Sequence, residues 1–154
     1  MPVLKHKVFA YITHGRRLLV FRHPESPEAG IQVPAGTVQP GEDLAAAVLR
    51  EAAEETGRTD LVLVRFLGEQ VRDRRDVGRD VGRDEIHHRH FYHLRCTGDP
   101  PATWRHWETD PSDGSPGPIP FDFFWAPLPD GVPELIAGHG NLLPQLLAAL
   151  EPDT

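Results

Sequence analysis

The sequence predicts a single α/β domain over residues 1–154, with a mixed β-sheet covered by helices on both sides. Two observations predict it. Runs rich in apolar, β-branched and aromatic residues lie both before and after one strongly amphipathic helix, and an apolar tail suited to a second helix closes the chain. Strands on either side of a central helix call for a sheet with both faces covered. The length agrees, since 154 residues fit one domain that buries roughly two-thirds of the surface of its unfolded chain.

The elements follow in order. Val3–Ile12 and Arg17–Arg22 (RLLVFR) read as paired strands across a turn at His14-Gly15. HPESPEAG is a loop, Ile31-Gln32-Val33 a short extended piece ended by Pro34, and Gly36–Gly41 a loop containing Pro40-Gly41. A helix is expected from Glu42 to Thr56, with Gly57 at the left-handed terminating position. Leu61–Val71 and Glu85–Cys96 are strands, joined by RRDVGRDVGRDE. The RDVG repeat has a period of four, which fits neither a strand nor a heptad, so a flexible, charge-balanced hairpin loop is expected. Thr97–Pro120, rich in Pro, Gly, Asp and Ser, reads as loop with TWRHWET embedded in it. Phe121–Ala126 (FDFFWA) is a buried strand, and the tail gives one or two short helices broken at Gly138-His139-Gly140.

Sixteen Lys+Arg against 23 Asp+Glu leave a net charge of −7. That balance opposes a protein that grips long nucleic-acid backbones. A small anionic substrate remains open, because a bound cation reverses the local field. Cys96 is the only cysteine, so no intrachain disulfide forms and a reducing, cytoplasmic setting is expected. MPVLKHKVFAY does not read as a signal peptide, and no apolar run approaches a membrane span.

The central helix works against itself. Leu44, Ala45, Val48, Leu49, Ala52 and Ala53 share an apolar face, with Arg50, Glu51, Glu54, Glu55 and Arg58 on the other arc. Most such stripes are solvated faces. Here the acids sit in the last two turns, where the helix dipole disfavours anions by roughly 0.3–1 kcal/mol each. Glu51 also faces Glu54 and Glu55, which costs roughly 0.2–0.5 kcal/mol per pair. A divalent cation turns that penalty into a binding site, and hard oxygen donors suit Mg²⁺ or Mn²⁺.

From Gly36 onward the sequence resembles the Nudix box: Gly36, Glu42, Arg50, Glu51, Glu54, Glu55 and Gly57 fall at its fixed positions. With about 7% per position for a common residue, seven chance agreements have odds on the order of 10⁻⁸ per starting point. Ala52 and Arg58 depart from the box, which prefers bulkier apolar residues there. The resemblance implies an α/β/α sandwich that hydrolyses a nucleoside diphosphate linked to another group, with Mg²⁺ or Mn²⁺. It implies Glu51, Glu54 and Glu55 as metal-binding acids, with the main-chain oxygen of Ala35 as a further ligand. Arg50 orients the glutamates together with Glu42, while Gly36 and Gly57 let loop and helix pass closely. The general base is left open among these acids and Asp84, Glu85 and Glu108. A nucleotide-binding module without efficient turnover and an RNA 5′-end pyrophosphohydrolase are the competing functions. Homodimers are common among such proteins.

Elsewhere the signals are weaker. In IHHRHFYHL, strand periodicity puts His88 and His90 on one face and His87, Arg89 and His93 on the other. An imidazole metal site is one reading, but no third ligand at characteristic spacing is apparent, so exposed or hydrogen-bonded strand histidines are expected, with His88, Arg89 and Glu85 as candidate substrate contacts near the metal. Trp104 either stacks on a nucleobase or covers the sheet edge.

Overall fold

Alternating apolar residues build a sheet whose two faces are both buried. The structure, a computed structural model, describes residues 3–73, 85–109 and 118–150; the RDVG repeat and Asp84 lie outside them. In chain order the elements are β1 (Val3–His14), β2 (Arg17–Arg22), β3 (Ala35–Thr37), α1 (Leu44–Thr56), β4 (Leu61–Asp73), β5 (Glu85–Cys96), β6 (Thr103–Glu108), β7 (Ile119–Pro127) and α2 (Leu143–Leu150). The sheet runs β4-β5-β1-β2-β7-β6, with β3 paired to β1. Among the described strands β1 and β5 run parallel, and the other strand pairs are antiparallel.

Period two explains the layers. Val8, Ala10 and Ile12 pack with Ala47, Val48 and Ala52 of α1, while Phe9 and Tyr11 pack with Leu142 and Leu146 on the α2 side. Strands buried on both faces read as nearly continuous apolar runs, and residues 8–12 of β1 and 18–21 of β2 do so.

One edge of β1 is divided. Lys7–Phe9 pairs with β3, whereas Thr13 and His14 pair with β2. The sheet therefore parts between β1 and β2, and the opening lies over the N-terminal half of β1. That parting creates the cleft described below.

Two strands appear where loops were expected. β3 is only three residues of a glycine-containing stretch, too short for periodicity to register. β6 alternates burial along TWRHWE and pairs with β7 at the sheet edge, inside a stretch whose composition signals turns. The helix starts two residues later than expected, because the Asp43 side chain accepts the Ala46 N–H at 3.1 Å and caps it. It ends at Gly57 (φ 75°) as expected. The tail forms a 3₁₀ turn at Ile136–Gly138 and then α2. No helix among the described residues is long and apolar enough to cross a membrane.

Candidate active site

The acids of α1 converge beneath β3. Glu51 and Glu55 are 7% and 6% exposed, whereas the Glu54 side chain is 47% exposed. The single charged arc expected from polarity is thus corrected. The buried face of α1 comprises Ala47, Val48, Glu51, Ala52, Glu55 and Thr56. β3 lies over the side that the polarity of the sequence assigned to water.

This crossing dictates two glycines. A Cβ on Gly36 would coincide with the Glu51 carboxylate, so only glycine lets β3 pass that side chain. Gly57 combines a left-handed backbone with His106 Nδ1 standing 2.6 Å from where a Cβ would lie.

Arg50 organises the group. Its Nε and Nη2 donate to Glu42 Oε2 and Oε1 at 2.7 and 2.9 Å, a forked pair. Nη1 donates to Glu51 Oε1 at 2.9 Å and to Glu54 Oε2 at 3.2 Å, and Nη2 reaches the Thr37 carbonyl at 3.3 Å. Glu55 Oε1 accepts the Ala35 N–H at 3.0 Å, which brings the Ala35 main chain to the site. The Arg50 guanidinium beside Glu42 holds that carboxyl down at about 2. Burial pushes Glu51 up to about 7 despite Arg50, and burial raises Glu55 well above the usual range. Glu108, buried at the end of β6, adds repulsion to both. Two buried carboxyls, a half-exposed third and the nearby Glu108 are hard oxygen donors with more negative charge than Arg50 offsets. That donor set fits Mg²⁺ or Mn²⁺.

A cleft of about 240 Å³ opens beside Glu55 where β1 and β2 part, and Phe9, Phe21 and Phe121 give it apolar walls. Lys7 reaches it because β1 registers Lys7 against both Thr37 and Arg89; Lys7 Nζ donates to Thr37 Oγ1 at 2.6 Å. Arg89 also lines it, with Nη1 donating to the Ala137 carbonyl at 2.5 Å and the guanidinium 4.9 Å from the Phe9 ring centroid. His139 accepts the Val33 N–H through Nδ1 at 3.2 Å, and burial holds it down at about 3, hence neutral.

The other residues singled out from the sequence fall elsewhere. Glu85 pairs with Lys5 at 3.1 Å and with His87, a cleft-lining residue, at 2.9 Å. His88 projects from the opposite face, toward His90 and His6. Trp104 covers the sheet edge, with Nε1 donating to the Thr56 carbonyl at 2.9 Å and the ring stacked on Phe123. Lys7, His23 and His139 line the cleft but were not singled out beforehand. Strand register places Lys7, and no short motif records it; His139 had been noticed only as part of a helix break.

The family description "NUDIX domain" matches residues 4–145. No curated protein sequence matches the chain. Solved structures do. A UDP-X diphosphatase is 15% identical with a TM-score of 0.65; the alignment covers 100% of this chain, which spans 65% of that protein. A MutT NUDIX hydrolase from Burkholderia pseudomallei is 24% identical with a TM-score of 0.63, covering 93% of this chain and 98% of that one. An ADP-ribose pyrophosphatase from Streptococcus suis 89-1591 is 18% identical with a TM-score of 0.63, covering 96% and 92% respectively.

Proposed function

The chain belongs to the Nudix family of hydrolases, and from that premise we propose that it cleaves a phosphoanhydride bond in a nucleoside diphosphate linked to another group. The observation that carries this reading is the burial of Glu51 and Glu55 close to each other and to Glu108, with Glu55 lining the same cleft as Lys7 and Arg89. An acid and two cations lining one cleft suit a polyanion held against a divalent ion.

Glu51, Glu54 and Glu55 would hold Mg²⁺ or Mn²⁺. Such an ion, once bound, neutralises phosphoanhydride oxygens and lowers the pKa of water. The chain's own residues do the rest. Arg50 fixes the Glu51 and Glu54 carboxylates, with Glu42 anchoring the guanidinium from behind. Lys7 and Arg89 draw the phosphates into the cleft, and the phenylalanine walls receive the apolar part of the substrate. A carboxylate takes the proton of the attacking water, and Glu108, buried close enough to Glu51 and Glu55 to repel both, is a candidate for that task beside them.

Incubation of the protein with a panel of nucleoside diphosphate derivatives and Mg²⁺ or Mn²⁺, with products identified by mass, tests the reading. Cleavage at a phosphoanhydride is expected. Glu54→Gln and Glu55→Gln should each lower kcat by roughly 10²–10⁴ while the circular dichroism spectrum is unchanged. Wild-type turnover in both variants, or nucleotide binding without any product, would refute it.

A further inference from the structure

Three histidines meet on the α1 side of the sheet, away from the cleft. Parallel register sets His6 of β1 directly against His88 of β5. Antiparallel register sets Glu69 of β4 against His90. Side chains at register positions share a face, so strand pairing alone brings these four groups into one row.

The distances suit an ion. His6 Nδ1 and His90 Nε2 are 3.2 Å apart, and one ring nitrogen from each histidine lies within 4.8 Å of the other two. Glu69 Oε1 stands 3.1 Å from His88 Nε2, and Oε2 stands 3.9 Å from His90 Nδ1. Metal–nitrogen bonds near 2.0–2.1 Å in a tetrahedron place ligands roughly 3.4 Å apart. The His6–His90 edge already has that spacing.

Hydrogen bonding alone leaves this cluster incomplete. A proton shared between His6 and His90 satisfies one nitrogen of each ring. His88 Nε2 faces the Glu69 carboxylate at 3.1 Å, but His90 Nδ1 remains buried without a hydrogen-bond partner, and His90 is 4% exposed. Unpaired buried nitrogens are costly. Burial, His88 and His6 all hold His90 toward its neutral form, which is the form that ligates metals.

We propose that His6, His88 and His90 bind a zinc-class ion at a site distinct from the carboxylates of α1, with the Glu69 carboxylate beside His88 orienting that ring. Imidazole nitrogens select Zn²⁺ and similar d-block ions over Mg²⁺. Three imidazoles leave the fourth position to water, and the ion ties β1 to β5.

Zn²⁺ binding to the full chain by equilibrium dialysis in excess Mg²⁺, with Co²⁺ absorption reporting geometry, tests the site. The wild type and Glu55→Gln should both retain one equivalent of Zn²⁺ and show intense four-coordinate Co²⁺ bands. His6→Ala should bind that equivalent at least about tenfold more weakly and lose the bands, with Mg²⁺-dependent hydrolysis unchanged. His6 is exposed on its strand, so the substitution leaves the core intact. His88→Ala serves as the second ligand variant. The proposal is overturned by a wild type that binds no such equivalent, by retention of the bands in both histidine variants, or by loss of the equivalent in Glu55→Gln instead.

Discussion

A titratable side chain removed from water prefers its neutral form, and the two sides of this sheet exploit that preference with opposite signs. Burial raises Glu51 to about 7, so at mildly acidic pH its folded form holds a proton that its unfolded form has released. Its contribution to stability is therefore present at low pH and lost as pH rises through about 7. His93 behaves inversely. It is buried, shares a 2.8 Å hydrogen bond between Nε2 and Thr13 Oγ1, and is held down at about 4 chiefly by burial, with Arg65 and Arg95 adding to it. Its stabilisation is complete above the unfolded value of 6.5 and is lost as pH falls toward 4. Because Glu51 and Glu55 oppose this trend in the same interval, the informative quantity is a difference. The urea stability of the wild type minus that of His93→Gln should shrink by about 2 kcal/mol between about pH 7.5 and about pH 5. A pH-independent difference would show that His93 is not buried in its neutral form.

At the scale of elements, the geometry of the proposed site depends on how closely β3 crosses α1. Gly36 has no need of an unusual φ; its requirement is space, because a side chain there would occupy the position of the Glu51 carboxylate. Gly36→Ala should therefore push Glu51 aside. Metal-dependent turnover should fall by at least about 100-fold, with the far-UV circular dichroism spectrum retained. Near-wild-type turnover would mean that Glu51 need not lie under β3. The same crossing marks the limit of what the sequence discloses. The span of α1, its Gly57 stop and the strands β1, β2, β5 and β7 were legible, since periodicity and turn residues are local signals. β3 and β6 were not, because one is three residues long and the other stands in a stretch of turn-forming composition. The box positions identified the acids, yet polarity placed Glu51 and Glu55 toward solvent. A hydrophobic period reports which residues avoid water and is silent about a strand that covers charged ones. The pairing of His6 with His88 was equally hidden, since parallel register joins residues 82 positions apart, beyond any spacing rule.

For the molecule as a whole, the net charge of −7 opposes the approach of a polyanionic substrate, so binding depends on where the few cleft cations stand. The parting of β1 from β2 leaves Lys7 and Arg89, side by side on adjacent parallel strands, lining the cleft together with Glu55 of α1. Arg89 is 3% exposed and also supports the Ala137 carbonyl and the Phe9 ring; its removal would disturb packing as well as charge. Lys7 is the cleaner probe. Lys7→Met keeps the length of the side chain and removes its charge. If Lys7 holds phosphate oxygens equally in the ground and transition states, KM should rise about tenfold and kcat should change by less than about twofold. The wild-type KM should also climb more steeply with added salt than that of the variant, because screening weakens an attraction that only the wild type has. A fall in kcat at constant KM would instead assign Lys7 to the charge that develops during bond cleavage. Unchanged kinetics would place the phosphates outside this cleft, since no nearby anionic ligand could be indifferent to that loss of charge.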